Sequence, residues 1–323
     1  MRQGVSVIVC AYNAEKTIGR TLDSLFAQTL KELEIIVIND GSTDGTQDIL
    51  DALSAEHPNL KCYKKENAGI AAARNTALTK IETSYFGFLD ADDTCEPTMF
   101  EKLYLKATEE NSDMAVSHFW WVNSKGRKEQ IEGPYKPGQE MMVSLFATLW
   151  NKIYKTETIL NSDVRFPDGN RYEDACFLYC LSSQIQRISF VPEPFVYYMQ
   201  QENSITHTNN AEVKNMITVF QIILAYYKSH GLYDSYHDEL EYIHVKFFLG
   251  NSFLRSSKIQ DKKDRRATIQ LGWNLLNKEF PQWHSNHYLR ELPGLKNRYF
   301  RMVNDSNIYF FAWIFRHFDR GNL

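Results

Sequence analysis

Between residues 5 and 93, short runs that are apolar on both parities alternate with longer segments whose apolar residues recur at helical spacing. Val5-Ser6-Val7-Ile8-Val9-Cys10 and Leu33-Glu34-Ile35-Ile36-Val37-Ile38-Asn39 are two such runs. They are rich in β-branched residues, as strands covered on both faces of a parallel sheet should be. Leu60 to Tyr63 and Phe86-Gly87-Phe88-Leu89 supply two more. The intervening segments carry Ile18, Leu22, Leu25 and Phe26, then Ile49, Leu50 and Leu53, then a helical stretch from Ile70 to Lys80. Strand and helix in this alternation specify βαβ units, which wind right-handed into a parallel sheet. The first third of the chain thus reads as an α/β half of nucleotide-binding type.

The pattern loosens after Asp93. Thr98 with Glu101 three residues on is a capping-box signal for a helix to about Asn111, and Met114 to Val122 reads as a strand. Lys125 to Gln139 is rich in charge, Gly and Pro, and reads either as a mobile lid or as an ordinary connector. Trp150 to Tyr154 returns to strand character, Asn170-Arg171-Tyr172-Glu173-Asp174 opens a helix through Phe177, Leu178 and Leu181, and Ile188 to Val191 and Phe195 to Met199 read as two short strands. Beyond about residue 208, apolar positions such as Val213, Met216, Ile217, Phe220 and Leu224 keep helical spacing. The division expected is 1–207, with halves 1–93 and 94–207, followed by a mainly helical region 208–323.

Polar residues gather where the strands stop. The fourth strand ends at Asp90-Ala91-Asp92-Asp93, the second at Asp40-Gly41-Ser42-Thr43-Asp44, and the first at Ala11-Tyr12-Asn13. In open α/β sheets ligands collect at the carboxyl ends of strands. Three carboxylates within four positions repel one another, and Mg²⁺ or Mn²⁺ is a natural neutraliser, although a solvated acidic turn has the same sequence. No Gly-x-Gly-x-x-Gly follows the first strand and no Gly-Lys-Ser/Thr loop is present, which disfavours a dinucleotide fold and a P-loop.

Composition narrows the setting. The 323 residues are 43% hydrophobic, enough for a sizeable core, and the net charge of −4 provides no basic field for nucleic acid. The five cysteines, Cys10, Cys62, Cys95, Cys176 and Cys180, form no Cys-x-x-Cys pair, so neither a disulfide framework nor a zinc site is indicated. With no leader pattern and no membrane-spanning run, a cytoplasmic enzyme is expected. The segment 295–323 qualifies that expectation: Ile308-Tyr309-Phe310-Phe311-Ala312-Trp313-Ile314-Phe315 is flanked by Arg298, Arg301, Arg316 and Arg320. Such a helix either packs on its neighbours or lies on the anionic inner face of the cell membrane.

Together these motifs resemble family 2 glycosyltransferases of the GT-A fold, over about residues 5 to 206. The resemblance rests on Val7-Ile8-Val9 leading to Ala11-Tyr12-Asn13, on Val37 to Asp44, on Asn67-Ala68-Gly69-Ile70-Ala71-Ala72-Ala73-Arg74-Asn75, on Leu89 to Asp93, and on Tyr172-Glu173-Asp174. It implies a mixed, mostly parallel central sheet flanked by helices. It also implies transfer of a hexose or N-acetylhexosamine from a UDP-sugar, with inversion, to a glycan acceptor that is lipid-linked or protein-linked. An oligomer is compatible with it.

The resemblance also assigns residues. Asp40 is implied to accept a hydrogen bond from uracil, with Ala11 and Tyr12 lining the base pocket; Ala11 departs from the Pro of many relatives. Asn67 and Arg74 are implied on the base and diphosphate side, Asp90 and Ala91 beside the ribose or metal-bound water, and Asp92 on a Mn²⁺ or Mg²⁺ ion. His207 falls near a position implicated in metal binding, and Lys152 near one that helps with acceptor or diphosphate, although a loop His and a surface Lys explain both. Asp174 is implied as the base, with Glu173 the alternative.

Two other classes compete. Leu89-Asp90-Ala91-Asp92-Asp93-Thr94 also fits the Asp-x-Asp-x-Thr signature of haloacid-dehalogenase-like phosphohydrolases, with Asp90 as nucleophile and Asp92 as acid/base. That motif normally sits on the first strand, and here three strand units precede it. A non-catalytic binding relative would carry a damaged metal or base position, and neither is damaged.

Overall fold

The computed structural model describes residues 1–170, 172–199, 214–291 and 294–317. Two compact units divide the chain, Met1–Gln201 and Glu202–Leu323. The first contains a nine-stranded sheet. Its strands are β1 (Arg2–Ala11), β2 (Leu33–Asp40), β3 (Leu60–Lys65), β4 (Thr83–Phe88), β5 (Thr94–Cys95), β6 (Met114–Asn123), β7 (Gly126–Gln130), β8 (Lys152–Lys155) and β9 (Ile188–Met199). They lie in the order β3-β2-β1-β4-β8-β6-β9-β5, with β7 paired to β6.

The half β3-β2-β1-β4 is wholly parallel, with Val7 opposite both Ile35 and Gly87. Helices α1 (Ile18–Phe26), α2 (Thr46–Glu56) and α3 (Ile70–Leu78) make the crossovers. Burial on both faces explains the unbroken apolar runs: Val5, Val7 and Val9 pack with Ile18, Leu22 and Leu25, and Ile8, Ile36 and Ile38 are equally buried. Each such side chain contributes about 1.5–3 kcal/mol when removed from water. The other half is mixed, with β8 antiparallel to β4 and β6, and β9 parallel to β6. Helices α4 (Met99–Glu109), α5 (Gln139–Ser144), α6 (Thr156–Leu160) and α7 (Glu173–Leu181) complete this unit.

Several expectations need correction. Lys125 to Gln139 is no free lid: β7 forms a hairpin with β6, and Glu132 and Tyr135 beyond it are buried. The two expected short strands are one, β9, whose register with β6 slips between Ser117 and Phe119. Pro192 and Pro194 lack ladder N–H groups, and the slip accommodates them. The Thr98 box is not formed, since Thr98 makes no capping hydrogen bond and Glu101 accepts instead from Thr29 Oγ1 at 2.7 Å.

The second unit is helical: α8 (Lys214–Ser229), α9 (His237–Val245), α10 (Phe253–Ser257), α11 (Lys262–Glu279), α12 (His287–Glu291), α13 (Leu295–Met302) and α14 (Ile308–His317). No helix among the described residues is long and apolar enough to cross a membrane.

Candidate active site

The carboxyl ends of β1, β2 and β4 bring three of the motifs to one edge of the sheet. The loop after β2 is stitched to the loop after β1: Asn13 Oδ1 accepts from Thr43 N at 2.8 Å, Ala14 N donates to Thr46 Oγ1 at 2.8 Å, and Glu15 N donates to Asp44 Oδ2 at 3.1 Å. Ala11 is buried at the end of β1 while Tyr12 stands 54% exposed beside it. Asp40 is buried and already accepts from Ala68 N at 3.1 Å, Gly69 N at 2.8 Å and Lys65 Nζ at 2.6 Å. A carboxylate offers about four acceptor positions, so one remains for a ligand N–H. Gly41, with φ +73°, is needed here, because a Cβ would lie 2.7 Å from Asn67 N. Asn67 itself is exposed.

Arg74 links this edge to the second half of the unit. Its guanidinium is buried and donates to Glu173 Oε1 at 2.5 Å and to Asp90 Oδ1 at 3.3 Å. It faces these two carboxylates. The adjacent Asn75 clamps the backbone of Phe166, donating to its carbonyl at 2.8 Å and accepting its N–H at 3.0 Å. One turn of α3 thus fixes the approach to α7. Tyr172, just before α7, has a left-handed φ of +67°, an uncommon conformation for a bulky residue.

Asp174 is half-buried in the first turn of α7 and accepts from Ala175 N at 2.7 Å. Burial, and then the charge of Glu173, push its carboxyl up to about 7, against the opposing pull of Arg74. Glu173 is the residue that engages Arg74, so the two carboxylates of the pair have different work. Cys10 lies among Arg74, Asp90, Asp40 and Glu173, and burial pushes its thiol up to about 12, so it lines the floor as a neutral group.

The acidic turn is partly closed. Asp93 is buried, accepts from Met199 N at 2.9 Å and has a second oxygen, Oδ2, with no hydrogen-bond partner among the described residues. Burial and neighbouring Asp90 push both Asp92 and Asp93 upward, Asp93 to about 9. Ala91, between Asp90 and Asp92, is half-buried. This oxygen-only donor set, short of positive charge, fits a hard cation such as Mn²⁺ or Mg²⁺. Among the described residues no three His, Cys, Asp or Glu converge as a ready-made cage. Mg²⁺ bound through one or two carboxylates plus substrate phosphates needs none.

A model of glycosyl transferase family 2 matches residues 6–168. The chain belongs to this family. It is a hexosyl-transferring enzyme. A cholesterol galactosyltransferase of Borreliella burgdorferi is 29% identical over 294 residues, spanning 85% of this chain and 78% of that protein. An uncharacterised glycosyltransferase of Bacillus subtilis, EpsJ, is 26% identical over 71% of each chain. Among solved structures, S. aureus TarS 1-349 in complex with UDP-GlcNAc superposes with TM-score 0.60 at 21% identity, covering 87% of this chain and 92% of that one. A mannosyltransferase of Pyrobaculum calidifontis in complex with GDP-Man and Mn²⁺ gives 0.53 at 15% identity, covering 99% and 88%. These likenesses establish the fold, which is GT-A. The family match runs through the Asp90 turn and disfavours the phosphohydrolase alternative.

Two further candidates of the glycosyltransferase are Lys152 and His207. Lys152 is neither on the surface nor open to substrate: its ammonium is fully buried, 2.9 Å from Glu132, and also donates to Asn151 Oδ1 and to the carbonyls of Phe146 and Thr148. His207 lies outside the described residues. The sequence reading gave no role to Tyr198, which joins the site through the pairing of β9 with β6 and with β5 and through the bond from Met199 to Asp93. That link spans 106 residues, and the only local signal was the aromatic pair Tyr197-Tyr198 closing a strand.

Proposed function

We propose that this glycosyltransferase moves a hexose or N-acetylhexosamine from a UDP-sugar to a hydroxyl of a lipid-linked or protein-linked glycan, with inversion and with Asp174 as the base. The observation that carries the reading is the state of Asp174: anchored by a backbone N–H, set beside the Arg74-bridged pair of Asp90 and Glu173, and pushed up to about 7. A base matched to ambient pH takes a proton most effectively. In one displacement the acceptor oxygen attacks the anomeric carbon, its proton passes to Asp174, and the bond from that carbon to the diphosphate oxygen breaks, releasing UDP. Asp40, Ala11, Tyr12 and Asn67 bind the nucleoside side. Arg74 holds Asp90 and Glu173 in register. Asp92, with Asp90 beside it, would hold Mn²⁺ or Mg²⁺, which when bound stabilises the charge developing on the diphosphate.

The test is UDP release by the purified protein from UDP-Glc, UDP-Gal, UDP-GlcNAc and UDP-GalNAc, with GDP-Man as control, in Mn²⁺ and in EDTA. Metal-dependent release from one UDP-sugar is expected. Asp174→Asn should then lower transfer by about 10²–10⁴-fold while UDP binding stays within a factor of two or so. Loss of UDP binding in that variant would make Asp174 structural.

The helical unit supports work at an anionic membrane surface. In α14, Phe311 and Phe315 pack on Tyr299, and Ile308 and Ala312 are buried. Phe310 and Trp313, each 59% exposed, stack on the outer face, with Arg316 exposed on the next turn. An aromatic face with basic neighbours suits the interface of an anionic bilayer. Flotation with phosphatidylglycerol vesicles should be lost in Phe310→Ser/Trp313→Ser; equal flotation of both proteins would remove this part of the reading.

A further inference from the structure

We infer that Trp121 and Tyr198, backed by Trp150, form a stacking platform for a pyranose ring of the acceptor. The inference rests on the function proposed above and assigns its acceptor subsite. Trp121 on β6 and Tyr198 on β9 are register partners, so both side chains leave the same face of the sheet. Their rings lie 6.3 Å apart, edge to face. Trp150 is buried, stacks on Tyr198 at 5.1 Å and 21°, and meets Phe119 at 4.7 Å, which fixes the platform from behind. Trp121 remains 38% exposed at the outer end, an apolar surface that the packing leaves uncovered.

The inner end reaches the reaction centre. Met199, next to Tyr198, donates its N–H to Asp93 at 2.9 Å. That bond sets Tyr198 beside the acidic turn, where Asp93 Oδ2 has no hydrogen-bond partner among the described residues, and burial with the charges of Asp93, Asp90, Asp92 and Asp174 pushes its hydroxyl up to about 12. An occupant lying on these rings therefore needs one apolar face for the aromatic surface and several hydroxyls for the carboxylate side. A pyranose ring has both, an axial C–H face and an equatorial rim of hydroxyls. The aromatic face is the negative end of the ring quadrupole and attracts such polarised C–H groups. A sterol or acyl chain matches the rings and gives the acidic turn at their inner end no hydrogen-bonding partner. The neighbouring Trp120 points to the opposite face, where Arg127 covers it at 4.4 Å, so it serves as an internal control.

Saturation-transfer NMR on the full chain with UDP and Mn²⁺ tests this, using the methyl β-glycosides of glucose, galactose and N-acetylglucosamine and their β-linked disaccharides as probes. At least one probe should be saturated at its ring C–H protons. Trp121→Ala should weaken that probe about tenfold, Trp121→Phe by no more than about threefold, and Trp120→Ala not at all. Trp121→Leu, which keeps apolar bulk without a π face, should behave like Ala. Equal binding by wild type and Trp121→Ala, saturation of no glycoside, or saturation of cholesterol hemisuccinate in their place would each overturn the platform. Donor hydrolysis measured on the same samples separates the two proposals. A protein that binds glycosides through Trp121 and releases no UDP keeps the platform and loses the proposed reaction, whereas Trp121→Ala with normal UDP release and unchanged glycoside binding does the reverse.

Discussion

Two buried cation–carboxylate clusters lie in the sheet-containing unit, and they are closed to different degrees. Around Lys152 every group is answered. The Lys152 and Glu132 side chains are 0% exposed, and Glu132 also accepts from Tyr135 Oη, Asn151 Nδ2 and Phe146 N. Around Arg74 the closure is incomplete: Asp90 remains 35% exposed, and Asp93 keeps an oxygen without a partner among the described residues. Both clusters begin with the same physics, a cation whose charge burial opposes and carboxylates favour; at Arg74 the carboxylates prevail, while at Lys152 burial keeps the ammonium shifted downward. A fully answered buried network makes a core specific, whereas one with open acceptors toward solvent has room for a ligand. The degree of saturation, more than the presence of charge, separates structure from function here.

The largest expected effect breaks the closed cluster. Lys152→Met leaves Glu132 buried without its cation and should cost about 3–5 kcal/mol in urea unfolding, while Lys152→Met/Glu132→Leu should recover most of that loss. A single variant that unfolds like wild type would mean that the Lys152 cluster is not closed as described. In the open cluster, Arg74→Lys retains charge but cannot fork to Asp90 and Glu173 together. Turnover should drop about 10²-fold, equal to ~2.7 kcal/mol in the barrier, with a smaller loss of stability. A pure KM effect on the UDP-sugar would instead put Arg74 on the donor.

The smallest effect is a pH response of the open cluster alone. As the proposed base, Asp174 must be ionised to accept a proton, so kcat/KM should rise about tenfold per pH unit and level off above about 7. Stability has the opposite slope in that window. The folded state holds this proton up to about 7 and the unfolded chain releases it near 3.8, so deprotonation between those values weakens the fold. Asp174→Asn should flatten both profiles.

The parallel half was legible in the sequence because its strands are covered on both faces, and burial writes itself as unbroken Val and Ile runs in β1 and β2. The polar strand ends at Asp40 and Asp90 were equally visible, since turn residues interrupt those runs at once. The mixed half was less so. Glu132 and Tyr135 sit among charged, Gly- and Pro-rich neighbours that read as surface, and their burial is explained by distant partners, Lys152 and Asn151 for Glu132 and Phe190 for Tyr135. Ile188 to Val191 and Phe195 to Met199 read as two strands, whereas a register slip keeps β9 whole across Pro192 and Pro194. Glu173 and Asp174 were read as a pair, but their division of labour depends on Arg74, 99 residues away from Glu173. No local pattern encodes a partner at that separation.

The same separations impose an order on synthesis. A nascent chain of about 100 residues already holds every strand of the parallel half, yet Arg74 has no Glu173 and Asp93 has no Met199. Contacts of such long range form late, because chain entropy must be overcome before they stabilise anything. The Arg74–Glu173 pair therefore waits for α7, and the Asp93–Met199 bond waits for β9 to enter the sheet beside β6. An interrupted translation product retains the strand ends proposed to bind the nucleotide but lacks Glu173, Asp174 and Met199, so the proposed site depends on the integrity of the whole unit.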